Sequence, residues 1–343
     1  MATNTVFTPF TIDDIVTGVP NRVTNAMWSN GVGILTRMNT PAPSASTATN
    51  NNRYYIDVYG AGTSSGAATT GSSQVEFSIA YGHVSGSGSV ITDRDLPTKA
   101  IYGQYRNLLL DGGRGRFALI SSSSTYLNDF IAIDIKRANL KQKLDAGNWE
   151  LHVSSSLLGE TLTLIDNSGD ASDLNPTNIG RVLSVVSGTI AAGAYSAYEY
   201  GLCYPDYGII ILSPGRISQS AAFTEVAFQY SQSINAYNDN HQQFYSAMSH
   251  SAYFAARSEE VISSTHYFVR AKNQYYNYST NPSFYSASNG TVIYSDFATN
   301  PKVFITTIGL YNNNNELLAV GKLSQPVQKG FDKEALFKVR LDF

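Results

Sequence analysis

KVFITTIGLYNNNNELLAVGKLSQPVQKGFDKEALFKVRLDF, Lys302 to Phe343, is the stretch from which the fold class is read. Val303, Ile305 and Thr307 alternate with Phe304, Thr306 and Ile308. Both faces of this segment are therefore largely apolar, the pattern of a strand covered on both sides. Asn312 to Asn315 supply a polar turn that tolerates left-handed backbone, and Leu317 to Val320 resume the extended pattern. The ending alternates cleanly: Phe337, Val339, Leu341 and Phe343 on one face, Lys338, Arg340 and Asp342 on the other. A terminus with core-type residues at every second position predicts a strand that closes a sheet, its apolar side against an apolar layer.

Outward from there, the rest of the chain also reads as mainly β. Strands are predicted over Met27–Met38, with a bend at Gly31 and Gly33, and over Arg53–Tyr59, Gln74–His83 and Asp129–Ile135. Further strands are predicted over Trp149–Ser155, Glu160–Asp166, Arg181–Ser187, Gly201–Leu212 and Val261–Lys272. The Gly201–Leu212 strand is broken at Pro205-Asp206-Tyr207-Gly208. Asn39–Asn52 and Gly60–Ser73, rich in small polar residues, read as loops. Helices are predicted over Asp13–Val16, capped by Thr11 with Asp14 three residues on, and from Pro97 to about Leu110, with Ile101, Tyr105 and Leu108 inward. Two more are predicted over Lys136–Leu144 and over Asn240–Arg257, the latter with Phe244, Met248, Ala252 and Ala255 as its apolar stripe. The fold class is α+β, mainly β: antiparallel-rich sheets or a sandwich with helices packed against them, closed by the C-terminal strand. Pro214 and Gly215 end an apolar run and place a boundary within Ser213 to Ser220. That divides the chain into an N-terminal β-rich region, 1–215, and a helix with a C-terminal sheet, 216–343; one domain throughout is the alternative.

Composition bounds the function. Only 14% of the 343 residues are charged, against ~25% in typical soluble domains. The net charge of −3 gives no basic stripe for a nucleic-acid backbone, so no nucleic-acid partner is expected. With 23 tyrosines and many Asn, Ser and Thr, the chain makes polar, weakly charged surfaces of the kind found where proteins pack together. An ordinary secreted β-protein has a similar composition. The opening MATNTVFTPFTIDD lacks the pattern of a signal peptide, however, and no run approaches the ~20 apolar residues of a membrane helix. The Asn277 and Asn289 glycosylation-like triplets then carry little weight.

Candidate chemistry is sparse. Asp111-Gly112-Gly113-Arg114-Gly115-Arg116 is Gly-rich and basic but lacks the spacing and ending of a nucleotide loop, and reads as a surface turn. Gly86-Ser87-Gly88 reads as a flexible loop, not a nucleophile elbow. His83, His152, His241, His250 and His266 show no metal-ligand spacing. Nothing in the sequence pairs any two of Asp129, Asp134, Glu259 and Glu260 for acid–base work. Cys203, the only cysteine, admits no intrachain disulfide and reads as a small buried residue. No catalytic, cofactor-binding or metal residue is assigned. The aromatic run Tyr275-Tyr276-Asn277-Tyr278, with Phe284 and Tyr285, has two readings. Its rings pack between subunits, or they stack on sugars; the subunit interface is preferred.

FVRAKNQYYNYSTNPSFY (Phe268–Tyr285), FITTIGLYNNNNELLAVGKLSQPV (Phe304–Val327) and the ending KVRLDF resemble virion structural proteins of contractile-tailed phages, above all myophages of cyanobacteria. DDIVTG, MWSNGVGILT, RYYIDVY, EFSIAYGHVSGSGS, IYGQYRNLLL and FYSAMSHSAYFAARSEE extend the resemblance over most of the chain. It implies a non-enzymatic tail component, most of all of the baseplate, either a wedge or an adjoining tail protein. Its partners would be other tail and baseplate proteins and copies of itself, with no cofactor, and its location the virion tail after synthesis in the host cytoplasm. The alternative is a fibre-attachment or host-surface module that binds glycan through exposed Tyr and Asn. A hydrolase hidden in a β-rich fold is the weakest reading.

Overall fold

The computed structural model describes residues 7–28, 34–35, 38–39, 55–60, 75–87, 96–121, 125–154, 161–169, 175–177, 180–219, 240–251, 253–279, 281–286 and 288–342. The expected bend at Gly31 and Gly33, the loops over 40–52 and 61–73, Gly88, Ala252 and Phe343 lie outside them. In chain order the strands begin β1 (Ile15–Thr17), β2 (Asn21–Ala26), β3 (Ile34–Leu35), β4 (Met38–Asn39), β5 (Tyr55–Gly60) and β6 (Val75–His83). They continue with β7 (Phe117–Ala118), β8 (Tyr126–Leu127), β9 (Asp129–Ile135), β10 (Lys143–Leu144), β11 (Glu150–Ser154) and β12 (Thr161–Asp166). Next come β13 (Asn175–Thr177), β14 (Gly180–Thr189), β15 (Gly193–Tyr204), β16 (Ile209–Leu212), β17 (Phe254–Ala255) and β18 (Arg257–Ile262). The last are β19 (Ser264–Ala271), β20 (Val303–Tyr311), β21 (Leu317–Lys329) and β22 (Ala335–Asp342). The helices among the described residues are α1 (Pro97–Leu109), α2 (Arg137–Leu140), α3 (Pro214–Ser218), α4 (Asn240–Ser251) and α5 (Ser295–Thr299). The protein is mainly β, with antiparallel sheets and a few helices.

The chain forms two compact units, Arg22–Glu260 and Met1–Asn21 with Val261–Phe343. The larger is built on an antiparallel sheet ordered β3-β17-β11-β12-β14-β15-β16-β9-β6-β5-β4, with β13 added against β14, that curls into a half-barrel. Its central strands are apolar on both sides because both sides are covered. Ile131, Ile133 and Ile135 of β9 join Phe77, Ile79, Ile210 and Leu212 in one core, under Phe244 and Met248 of α4. Phe130, Ala132, Ile209 and Ile211 join a second core with Ile101, Tyr102 and Leu109 of α1. Each fully buried Ile or Leu contributes about 1.5–3 kcal/mol. Gly82 of β6 lets α1 approach: a Cβ there would stand 2.8 Å from the Phe130 ring and 3.1 Å from the Tyr102 backbone nitrogen. The expected break at Pro205–Gly208 is a turn closed by Gly208 N–H donating to the Tyr204 carbonyl (2.9 Å), with Gly208 at φ +70°.

Several expectations shift. The boundary expected within Ser213 to Ser220 falls inside the larger unit, because one core runs through it, from Leu212 and Ile217 to Phe244 and Met248. Pro214 there opens α3, with Ser213 Oγ accepting from Arg216 N–H, and does not mark a linker. The segment expected to be helical over Asp13–Val16 is a 3₁₀ turn, Ile12–Asp14, followed by β1; the branched Ile15, Val16 and Thr17 favour the strand. Lys136–Leu144 holds only the single turn α2, ended at Lys141 with φ 57°, before β10. α4 stops at Ser251, and Phe254 and Ala255 leave for the sheet, where Phe254 pairs with Leu151 and Leu35 and its carbonyl accepts Trp28 Nε1–H at 2.8 Å. On α1 the inward residues are Ile101, Tyr102 and Leu109, with Tyr105, as expected, part-buried against Phe130 (ring centroids 5.7 Å), while Leu108 is exposed. Met27 and Trp28 are buried anchors that follow a strand, β2, and do not begin one.

The smaller unit holds a three-stranded sheet, β1-β19-β22, and a two-stranded hairpin, β20-β21. β22 pairs with β19 along its whole length, from Ala335 opposite Ala271 to Asp342 opposite Ser264. Phe337, Val339 and Leu341 share one face, as the alternation predicts, but they are half-buried and no closed apolar layer covers them. The reason is that β22 is the edge strand of a small sheet. The run Val303–Ile308 is likewise not covered on both sides: it lies in a hairpin with one outward face.

Asp129, at the start of β9, sits where burial pushes its carboxyl up to about 6, opposed by the Tyr81 hydroxyl that donates to it at 3.1 Å. A folded pKa above the unfolded value of about 3.9 means the stability from the neutral acid is fully present below pH ~4 and lost as pH climbs through ~6. Asp129→Asn should therefore be more stable than the parent at pH 7.5 by about 1–2 kcal/mol and no more stable at pH 4. Urea melts at the two pH values measure it; a parent whose advantage or deficit does not change with pH rules it out.

Candidate interaction surface

In the smaller unit, Lys272–Pro301 joins β19 to β20 and carries most of the aromatic residues singled out in the sequence. Tyr278 meets Phe284 edge-on (ring centroids 5.4 Å) and lies 5.7 Å from Tyr285. Phe284 stacks on Phe297 at 5.3 Å, and Tyr294 packs edge-on against Phe297 at 5.7 Å. Local hydrogen bonds make this arrangement possible: Phe284 N–H donates to the Asn281 carbonyl (2.8 Å) and Ile293 N–H to the Phe284 carbonyl (3.1 Å). Phe284 is buried beneath the others, while Tyr278 and Tyr294 are exposed. Three of the five expected residues, Tyr278, Phe284 and Tyr285, are thus brought together. Tyr275 and Tyr276, both exposed, make no ring contact with them among the described residues. Phe297 and Tyr294 complete the cluster and were missed. Their only signal was aromatic character within a Ser- and Asn-rich stretch.

The Tyr275–Tyr278 turn is held by a residue that sequence reasoning did not single out. Lys329, at the end of β21, is fully buried. Its ammonium donates to the Asn273 carbonyl (3.0 Å), Asn277 Oδ1 (2.8 Å) and the Gly330 carbonyl (3.2 Å). Three donors thus meet three neutral acceptors. Burial lowers the Lys329 pKa from the usual lysine value, and the Asp332 and Glu334 charges pull it back up. Asn277 is engaged twice, since its Nδ2 also donates to the Asn273 carbonyl (2.6 Å). Tyr276 takes the left-handed backbone (φ 58°), and its hydroxyl bonds Thr8 Oγ1 at 2.6 Å. A lysine in an alternating strand gives no hint in sequence that its charge is turned inward.

The hairpin, β22 and the turn between them expose large apolar side chains: Phe304 (61%), Leu318 (68%), Val320 (59%), Leu317, Phe331 and Leu336. Scattered exposed apolar residues are ordinary; here they are concentrated in one small unit.

The other candidates resolve as structural. Asp111–Arg116 is a turn, with Arg114 N–H donating to Asp111 (2.9 Å). Asp129 and Asp134 stand on opposite faces of β9, one bonded by Tyr81 and the other by Tyr105 (3.5 Å), while Glu259 is ion-paired to Arg22 (3.1 Å) and Lys143 (3.3 Å). Cys203 is buried, and burial, with the Asp166 charge adding to it, pushes its thiol well above the ordinary value, which suppresses the nucleophilic thiolate. Among the described residues no group of three or more His, Cys, Asp or Glu could hold a metal, and no helix is long and apolar enough to cross a membrane.

Lys329→Met should leave Asn277 Oδ1 without its donor and the Asn273 carbonyl with Asn277 Nδ2–H alone. A cost of about 1–3 kcal/mol is expected, with faster amide exchange confined to 273–279. Hydrogen exchange read by mass spectrometry tests this; unchanged protection across that turn would show that Lys329 does not hold it.

Comparison of the chain with protein-family models, with curated proteins and with solved structures finds no match.

Proposed function

We propose that this protein is a structural component of a phage virion, most of all of the contractile-tail baseplate, as a wedge or adjoining tail protein. It would act by packing against neighbouring tail and baseplate proteins and against copies of itself. The observation that carries this reading is the concentration of exposed apolar side chains in the smaller unit, Phe304, Leu317, Leu318, Val320, Phe331 and Leu336. It occurs in a chain only 14% charged. Exposed apolar surface of that kind is costly in water and favours permanent neighbours. The resemblance of Phe268–Tyr285 and Phe304–Val327 to tail proteins supplies the setting. Synthesis in the host cytoplasm and residence in the tail belong to the same proposal.

A second reading, a host-surface module that binds glycan, is favoured by the exposed rings of Tyr275, Tyr278 and Tyr294. Against it, the interleaved Asn277 amide is spent on Lys329 and Asn273, and the Tyr276 hydroxyl on Thr8. Two of the polar groups that would read a sugar are thus engaged within the chain.

The decisive experiment is mass spectrometry and cryo-electron microscopy of purified particles from the phage that encodes the chain. Stoichiometric presence in the tail is the expected result; absence from the particles overturns the proposal. Glycan-array binding abolished by Tyr278→Ala would transfer the assignment to the second reading.

A further inference from the structure

The hairpin β20-β21 has an inner and an outer face. Along β20, Val303, Ile308 and Leu310 are buried and Ile305 half-buried, whereas Phe304, Gly309 and Tyr311 point outward, with register shifts at Ile305–Thr307 and Leu310–Tyr311 and with the Phe7 ring edge-on to Tyr311 at 4.9 Å. Gly309 pairs with Val320, and a Cβ on Gly309 would meet the Tyr311 ring at 2.9 Å and Leu317 Cδ1 at 3.2 Å, so these side chains share the outer face. Lys322, two residues from Val320 and opposite Thr307, is exposed on the same strand. Phe304, Tyr311, Leu317 and Val320 are each about half exposed, which amounts to on the order of 400 Å² of apolar surface. A standard interface takes ~800 Å² from each partner, and a little over half of that is apolar. One such face is therefore the apolar half of an ordinary interface.

Charge identifies the partner. From Val303 to Gln328 the only charged residues are Glu316 and Lys322. They stand on either side of Ala319, one toward the tip and the other toward the base. Asn312 Nδ2 donates to Glu316 Oε2 (2.6 Å), which leaves the second carboxylate oxygen to accept. Lys322 makes no ion pair among the described residues. An acid and a base displaced equally from a midpoint are self-complementary under a two-fold rotation. We propose that the outer face of β20-β21 docks face to face, tip over base, on the same face of a second copy. Glu316 of each copy then lies over Lys322 of the other, and Phe304, Tyr311, Leu317 and Val320 fill the layer between the two sheets. The contact rests on the assembly role proposed above and names one of its interfaces.

Sedimentation equilibrium of the full chain over the micromolar range tests it. The parent should dimerise. Val320→Asp should raise the dimer Kd by roughly 30-fold or more. Glu316→Lys and Lys322→Glu, both at exposed positions, should each raise it roughly 5–10-fold in protein whose circular dichroism matches the parent, and the double swap should return it to within about threefold of the parent. A monomeric parent overturns the contact, as does a dimer that the single reversals leave unchanged or that the double swap fails to rescue. A monomer that is nonetheless found in particles overturns this contact alone. A swap-rescued dimer absent from particles overturns the virion role alone.

Discussion

β9 and β16 are apolar on both faces, and that constraint organises the larger unit. Ile131, Ile133 and Ile135 alternate with Phe130 and Ala132, and Ile210 and Leu212 with Ile209 and Ile211. A strand with two greasy faces is stable only where both are covered. α1 with β7 and β8 contributes to one cover, and α4 with Trp28 and Phe254 to the other. Gly82 is needed because the first cover comes within backbone distance of the sheet.

The buried carboxylates of this unit are paired among the described residues. Asp145 and Glu259 share Arg22, Glu259 also takes Lys143, and Asn148 donates to Asp145 at 2.6 Å. Buried Glu199 accepts from Ser121 N–H (3.0 Å), Ser121 Oγ–H (2.6 Å) and Ser184 Oγ–H. Such pairing offsets a desolvation cost of several kcal/mol per charge and leaves no reactive group without a partner in these clusters. The smaller unit follows another rule. Its one fully buried charge, among the described residues, is Lys329, which holds a turn, while its apolar side chains are spread over exposed sheet faces. One unit spends its apolar residues on a core, the other on a surface.

Much of this was legible from local pattern. Asp129–Ile135, Ile209–Leu212, the helix opening at Pro97 and the turn at Pro205–Gly208 all depend on periodicity or on residue types with fixed backbone preferences, and short-range rules find them. The early end of α4 was not legible. Phe254 leaves the helix to pair with Leu151 and Leu35, which are distant in sequence, and helical periodicity in Phe244–Ala255 continues past the point where those contacts take over. Lys329 and Phe297 were missed because their roles depend on segments 52 and 13 residues away, at Asn277 and Phe284.

By itself the sequence determined the fold class, the alternating faces of the strands and the low charge of the surface, because each depends on residue type and on spacings of two or three to four positions. Only the tertiary structure decided which apolar faces are covered. Val303–Tyr311 and Ile209–Leu212 both read as buried strands, yet Ile209–Leu212 lies between two partner strands with a core on each side and Val303–Tyr311 lies in a two-stranded hairpin with an open face. Hydrophobicity states that a face must leave water. Whether the chain itself or a neighbour removes it depends on long-range packing, which no local pattern encodes.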